Sequence, residues 1–206
     1  MTSKQDIIIA GGGRVGLQTA RLLAERGNDV SIIEPDPDVV DEIADEWIAT
    51  VIRGDATSPD ILRQAGIDGA DAIAALTGHA GLNLAICLVA RQLDPELRTV
   101  TRIESAADES YAEFVDGVVF PEHAGARVAA NEIVGSGVQT LADVTGTLDV
   151  MQIRVAEGAP AAGKTLSEVS FPRGTLVGSG EEGERIAQSD TRLEPGKRYV
   201  VAVEPD

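Results

Sequence analysis

The sequence predicts an α/β fold: a doubly wound parallel sheet followed by a small β-rich α+β unit. Three observations carry that prediction. From residue 6 to residue 134, short aliphatic runs alternate with segments of helical period. Unbroken aliphatic strands are those buried on both faces, and their alternation with helices makes the sheet parallel. A glycine-rich turn joins the first aliphatic run to the first helical segment, and beyond residue 146 strand patterns with turns replace the helical period.

Residues 7–10 form the first strand. The turn Gly11-Gly12-Gly13 leads into a helix over 15–26, with Leu17, Ala20, Leu23 and Ala24 on its apolar side, and Gly27 ends it as a C-terminal glycine should. Residues 30–33 are a second strand and 37–47 a second helix. Residues 49–52 are a third strand, after which Ser58 caps a helix over 59–65 with Pro59 at its favoured first position. Residues 72–76, a long helix over 82–93 and a fifth strand over 99–103 follow. A helix over 108–114, a short strand over 117–120 and a helix over 122–134 complete the set. This is the succession of a Rossmann-like sheet with strand order 3-2-1-4-5-6. Gly135-Ser136-Gly137 opens a polar stretch read as a linker over 136–146, dividing a domain at 1–135 from one at 147–206. In the second domain 150–155, 175–177 and 199–203 read as strands, 167–170 as one helical turn and 181–184 as a solvated hairpin tip.

Composition narrows the function. With 43% hydrophobic residues the 206-residue chain can bury a sizeable core, which excludes disorder as its main state. Aromatics are only 3%, so that core is aliphatic. Seventeen basic residues against 34 acidic ones leave a net charge of −17, and only Lys4, Lys164 and Lys197 are lysines. Such a surface repels a phosphate backbone, which argues against nucleic-acid and anionic-membrane binding. Carboxylates gained at lysine's expense suit concentrated salt, where the screening length is about 3 Å at 1 M. They point to a salt-accumulating, halophilic cytosol, with an ordinary acidic cytosolic protein as the alternative. A single cysteine, Cys87, excludes an intrachain disulfide, and a start that runs directly into a strand carries no signal peptide, so a cytoplasmic protein is expected. Nineteen consecutive residues, 72–90, lack a formal charge. Their middle, Thr77-Gly78-His79, is turn chemistry, so they read as strand, turn and helix rather than as a lipid-inserted span.

Gly11-Gly12-Gly13-Arg14-Val15-Gly16 satisfies the pattern G-x-G-x-x-G. With 22 glycines in the chain the spacing alone is weak, but here it follows a strand, opens a helix and stands at the first βα turn. Gly11 permits the tight turn, Gly13 lets a pyrophosphate approach the backbone, and Gly16 lets the helix pack close to the strand. The helix N-terminus then offers free N–H groups to phosphates. Glu34 follows Gly13 by 21 residues at the end of the second strand. A carboxylate there accepts ribose hydroxyls and repels a 2′-phosphate, which favours NAD(H) or an adenine nucleotide such as ATP or ADP over NADP.

Other residues gather at the same strand ends with two readings each. Arg14 either clamps phosphates or is a surface arginine. Asp55, in Gly54-Asp55-Ala56-Thr57, either contacts the adenosine or caps the next helix. Thr77 ends the fourth strand and Arg102 the fifth, where Arg102 either meets the ligand or pairs with Glu104 or Glu122. Val15 and Ala56 lie within the two motifs and are counted with the site. His79 and His123 have no metal-ligand spacing, and no Ser-His-Asp set or Tyr-x-x-x-Lys pair offers a proton donor.

These residues resemble the RCK (regulator of conductance of potassium) family of Trk/Ktr-type potassium uptake subunits. The likeness runs through Ile7–Gly16, Ile33-Glu34-Pro35-Asp36-Pro37, Gly54-Asp55-Ala56-Thr57, Asn83-Leu84, Arg102 and Phe120-Pro121-Glu122. It continues in Gly163-Lys164-Thr165-Leu166 and Leu193-Glu194-Pro195-Gly196. The resemblance implies a nucleotide sensor without catalytic activity, forming homodimers within a ring and docked on the inner face of the membrane through a potassium channel or transporter subunit. It also implies that Gly11, Gly13, Arg14, Gly16, Glu34, Asp55, Thr77 and Arg102 line the nucleotide crevice. Two departures stand out: Ala80 and Gly81 replace the family's usual acids before Asn83, and Lys197 follows Gly196 in place of aspartate. The alternatives are a small NAD-dependent oxidoreductase and a nucleotide-binding adaptor of another cation transporter.

Overall fold

The computed structural model describes residues 4–134, 138–143, 149–169, 174–179 and 185–203. The chain divides into two compact units, Met1–His123 and Ala124–Asp206. The first contains β1 (Asp6–Ala10), α1 (Arg14–Glu25), β2 (Asp29–Glu34), α2 (Pro37–Ala44), β3 (Thr50–Arg53), α3 (Pro59–Gln64), β4 (Ala72–Ala75), α4 (Ala80–Leu93), β5 (Arg98–Arg102) and β6 (Gly117–Val119). The residues of α5 (Pro121–Val134) run across the division. The six strands are parallel in the order β3-β2-β1-β4-β5-β6, which is the fold class and order expected.

Side chains alternate between the two faces of a strand, and here both faces are covered. Ile8, Ala10, Ile33, Ile52, Ile73 and Ala75 pack on one side with Leu62, Ile67, Ile86 and Cys87. Ile7, Ile9, Val30 and Ile32 pack on the other with Ala20 and Ile43. Cys87 is 1% exposed, and burial pushes its thiol up to about 11. The uncharged stretch 72–90 is β4, a turn and most of α4. Among the described residues no helix is long and apolar enough to cross a membrane.

Four local expectations are corrected. The helix expected over 108–114 is a run of 3₁₀ turns, Ala106–Phe114, in a segment where Asp108 and Ser110 are weak helix formers. α2 stops at Ala44 rather than 47. Just beyond it Arg21 of α1 holds Glu46 through Nε at 2.8 Å, and Trp47, 90% exposed, takes a left-handed φ of 56°. Ser58 stands at the N-cap of α3 without a side-chain bond to the helix. The fourth correction concerns the stretch 136–146, expected as a linker, where Val138–Asp143 forms strand β7; its Val-Gln-Thr-Leu run suits extended backbone.

The second unit continues with β8 (Asp149–Arg154), β9 (Gly174–Ser179), β10 (Arg185–Ile186) and β11 (Arg198–Val203). They form an antiparallel sheet in the order β10-β9-β11-β8-β7. The single helical turn expected near 167 is Leu166–Glu168, closed by a capping box with Thr165. The hairpin tip expected over 181–184 lies outside the described residues. Val155, Leu193, Tyr199 and Val201 form a small core. Within it the Tyr199 hydroxyl accepts from the Glu194 N–H at 2.7 Å and donates to the Arg192 carbonyl at 3.1 Å.

One carboxylate ties β5 to α4. Asp116 accepts from the Thr99 N–H and hydroxyl, both at 2.8 Å, and from Arg91 at 3.0 Å. The Thr99 bonds, with help from Arg91 and Arg98, hold its pKa below the ordinary 3.8. A depressed carboxylate stabilises the fold above its unfolded pKa, and that contribution is lost as pH falls through the folded value. Asp116→Asn is therefore expected to lower the urea midpoint near pH 7, with the gap to the native chain narrowing below about pH 4. A gap independent of pH would contradict this.

Candidate functional site

The strand order reverses between β1 and β4, and open α/β sheets bind ligands at the carboxyl ends of the strands flanking such a point. Gly11 follows β1 there with φ at 102°, its N–H bonded to the Ile33 carbonyl at 2.8 Å. A Cβ at Gly11 would lie 3.0 Å from the backbone nitrogen of Thr77. Glycine is thus required twice, by the left-handed backbone and by the neighbouring strand end. A Cβ at Gly16 would lie 1.9 Å from the Gly11 carbonyl oxygen, so α1 seats directly on the turn. At Gly13, by contrast, a Cβ would meet nothing within 4 Å among the described residues.

Gly13 is the N-cap of α1 and, lacking a side chain, makes no capping bond; the first turn holds no acidic residue. The first amides of that helix have no intrahelical acceptor, and the helix dipole adds partial positive charge. Arg14 is exposed at the first helical position, while Val15 packs into the apolar core. Across from the turn, half-buried Glu34 accepts from the Gly12 N–H at 2.7 Å through Oε2 and from the Asp36 N–H at 3.0 Å through Oε1. The carboxylate is thereby fixed between the glycine turn and the start of α2. The Gly54 N–H bonds to the Glu34 carbonyl at 3.0 Å, which ties the end of β3 to the same residue.

Asp55 resolves toward a local role. Its Oδ1 accepts from the Thr57 N–H at 2.9 Å and hydroxyl at 2.8 Å, closing the turn before α3, and these bonds lower its pKa. Ala56 is 7% exposed, with its methyl in the core beside Ile52 and Leu62. Its side chain is a packing group, so only its backbone can face a ligand.

A second cluster surrounds Thr77. Asn83, 0% exposed, accepts from the Thr77 hydroxyl at 2.6 Å and N–H at 3.0 Å. Its Nδ2 donates to the Thr77 carbonyl at 3.1 Å and the Arg102 carbonyl at 3.0 Å. Arg102 donates from Nη1 to the Thr77 carbonyl at 3.2 Å and pairs with Glu122. Of its two possible partners it takes Glu122; Glu104 lies 3.8 Å from His79.

The structure thus joins Gly12, Glu34 and Gly54 on one side of Gly11, and Thr77, Asn83, Arg102 and Glu122 on the other. Sequence reasoning overlooked Gly12 and Asn83 as site residues. For Asn83 a signal was present: a polar residue on the stripe of Ala80, Ile86 and Cys87, where a buried amide demands partners.

Two substitutions test this framework by urea denaturation. Gly16→Ala is expected to lose about 2 kcal/mol or more, since its methyl overlaps a backbone oxygen. Asn83→Ala is expected to lose about 2–4 kcal/mol, because buried groups at two strand ends lose their partner. A loss under about 0.5 kcal/mol in either would contradict the packing described.

Comparison with known proteins agrees with this architecture. Residues 7–121 match the TrkA-N domain and residues 150–206 the TrkA-C domain. Over 204 residues the chain is 33% identical to a Trk system potassium uptake protein TrkA homolog of Pyrococcus abyssi, covering 95% of this chain and 90% of that protein. The solved GsuK channel bound to NAD superposes with a TM-score of 0.68 at 20% identity, over 98% of this chain and 38% of that one, a likeness of fold alone. A crystal structure of GsuK bound to ADP is 31% identical with a TM-score of 0.53, over 62% of this chain and 33% of that chain. The chain therefore spans less than half of either GsuK chain. By its two domain matches, as by the motifs its sequence displays, the chain belongs to the RCK-type TrkA family.

Proposed function

We propose that the chain is a nucleotide-binding regulatory subunit of a potassium transport system. The observation that carries this reading is the arrangement at the switch point. There Gly11 backs onto Thr77, Gly13 opens an uncapped helix N-terminus, and the carboxylate of Glu34 is fixed beside the same turn. A diphosphate at the first amides of α1 is stabilised by their N–H groups and the helix dipole. Glu34 accepts the ribose hydroxyls and disfavours a 2′-phosphate, which makes NAD(H) the preferred ligand and ATP or ADP the next. Arg14 and Arg102 supply positive charge, Thr77 and the turn at Asp55 border the crevice, and no group is asked to do chemistry. The NAD-bound and ADP-bound forms of the similar GsuK protein support this class of ligand.

The name carried by the Pyrococcus relative supports a membrane potassium transport partner. In this reading the chain works at the cytoplasmic face as a homodimer within a ring, with an N-terminal nucleotide domain and a C-terminal regulatory domain whose sheet includes β7. Its net charge of −17 suits a salt-rich cytosol. A ligand moves such an assembly between shapes only by favouring one of them; a preference of about 5.5 kcal/mol carries a population from 1:99 to 99:1.

Thermal melting with NADH, NAD, ATP and ADP tests the proposal. At about 100-fold excess over Kd a ligand adds about 2.7 kcal/mol, so at least one of the four is expected to raise the midpoint by several degrees. Glu34→Gln, which keeps the shape and removes the charge, is expected to weaken that ligand about tenfold, equivalent to about 1.4 kcal/mol. If none of the four moves the midpoint, the proposal fails.

A further inference from the structure

Arg102 is held unevenly. Its backbone carbonyl accepts from Asn83 at 3.0 Å, and Nη1 donates to the Thr77 carbonyl at 3.2 Å. These contacts fix the guanidinium one residue's contact away from the glycine turn, because Thr77 is the residue on which Gly11 rests. The side chain is only 16% exposed, and Nε is buried with no hydrogen-bond partner among the described residues. Its anionic partner is different in kind. Glu122 is 50% exposed and stands in the first turn of α5, not on the sheet.

A guanidinium has five N–H donors in a planar fork suited to two parallel bonds with carboxylate or phosphate. Here the recorded bonds of that fork engage Nη1 and Nη2, and the Nε donor is left over. An arginine held by its backbone and one carbonyl, with its buried Nε unbonded among the described residues, and neutralised by a half-exposed carboxylate is a site poised to exchange one anion for another. Partly exposed ion pairs contribute only about 0–1 kcal/mol, whereas phosphate makes stronger, charge-assisted bonds to arginine.

We infer that Glu122 is a built-in competitor for Arg102, which a phosphate group of the bound nucleotide displaces. Exchange satisfies Nε and releases the carboxylate, so occupancy of the crevice is registered at the first turn of α5. Asn83 is a positioning residue in this scheme: it holds the strand ends carrying Thr77 and Arg102 and touches no ligand. The inference rests on the nucleotide reading above and adds the residue pair through which binding is sensed.

The test is a set of affinities for ADP and NADH, by calorimetry on the full chain. Glu122→Gln is expected to bind the tighter of the two about two- to fivefold more strongly than the native chain, the scale of removing a partly exposed ionic competitor. Glu104→Gln removes the same formal charge without touching Arg102 and is expected to leave affinity unchanged, which separates competition from general repulsion. In an Arg102→Gln background the gain from Glu122→Gln is expected to vanish; Arg102→Lys, which keeps charge but lacks the fork, serves if that variant fails to fold. Unchanged or weaker binding by Glu122→Gln, an equal gain from Glu104→Gln, or a gain that persists without Arg102 each overturns the inference while leaving nucleotide binding standing. Failure of the native chain to bind either nucleotide overturns the nucleotide reading and this inference with it.

Discussion

The contact between the glycine turn and the end of β4 is the constraint on which the first unit depends. At the switch point two strand ends must lie side by side while the chain after β1 turns back into a helix. The space between Gly11 and Thr77 leaves no room for a side chain, and the carbonyl of Gly11 lies where any side chain on Gly16 would have to go. Three backbone segments therefore close on one another without intervening side chains. Close packing of this kind transmits displacement, because interiors near crystalline density have little slack to absorb it. The open side of the same turn, at Gly13, is where an anion can come closest to the peptide backbone.

Placing an asparagine in the seam between β4, β5 and α4 carries an energetic risk, since a buried amide with unmet bonds costs about 1–3 kcal/mol. Asn83 avoids it by meeting two donors with its oxygen and two carbonyls with its nitrogen. An apolar residue there would fill the volume but leave the ends of two strands untied. The result is a tied frame of strand ends around Asn83 that meets, at Glu122, a half-exposed carboxylate from the first turn of α5. In the exchange proposed above, the carboxylate at the helix start is the part that moves and the tied strand ends are the part it moves against.

Much of this was legible in the residues. Aliphatic runs such as Ile7-Ile8-Ile9 and Ser31-Ile32-Ile33 are strands by composition, and the glycine spacing, read with its flanking strand and helix, located the turn and its partner carboxylate. What escaped depends on neighbours distant along the chain. No local pattern separates Glu104 from Glu122 as the partner of Arg102, because the choice is made by where β6 delivers the start of α5. Ala56 belongs to a motif yet points into the core, a consequence of Asp55 and Thr57 closing their own turn. Just past the end of α2, Glu46 is held by an arginine on another helix, a contact no local pattern shows. The strand at Val138–Asp143 was obscured by flanking glycines and polar residues that read as a linker, although its partner β8 was recognised as a strand.

Cys87 stands one turn beyond Asn83 on α4, its sulfur 3.5 Å from the Val100 carbonyl. Burial, which pushes its pKa up to about 11, keeps the thiol protonated and shielded, and it is the thiolate that attacks alkylating reagents. Alkylation must therefore wait for α4 to lift from β5. As the chain's sole sulfhydryl, it makes the rate of chemical labelling a clock for the opening of the seam that Asn83 holds shut.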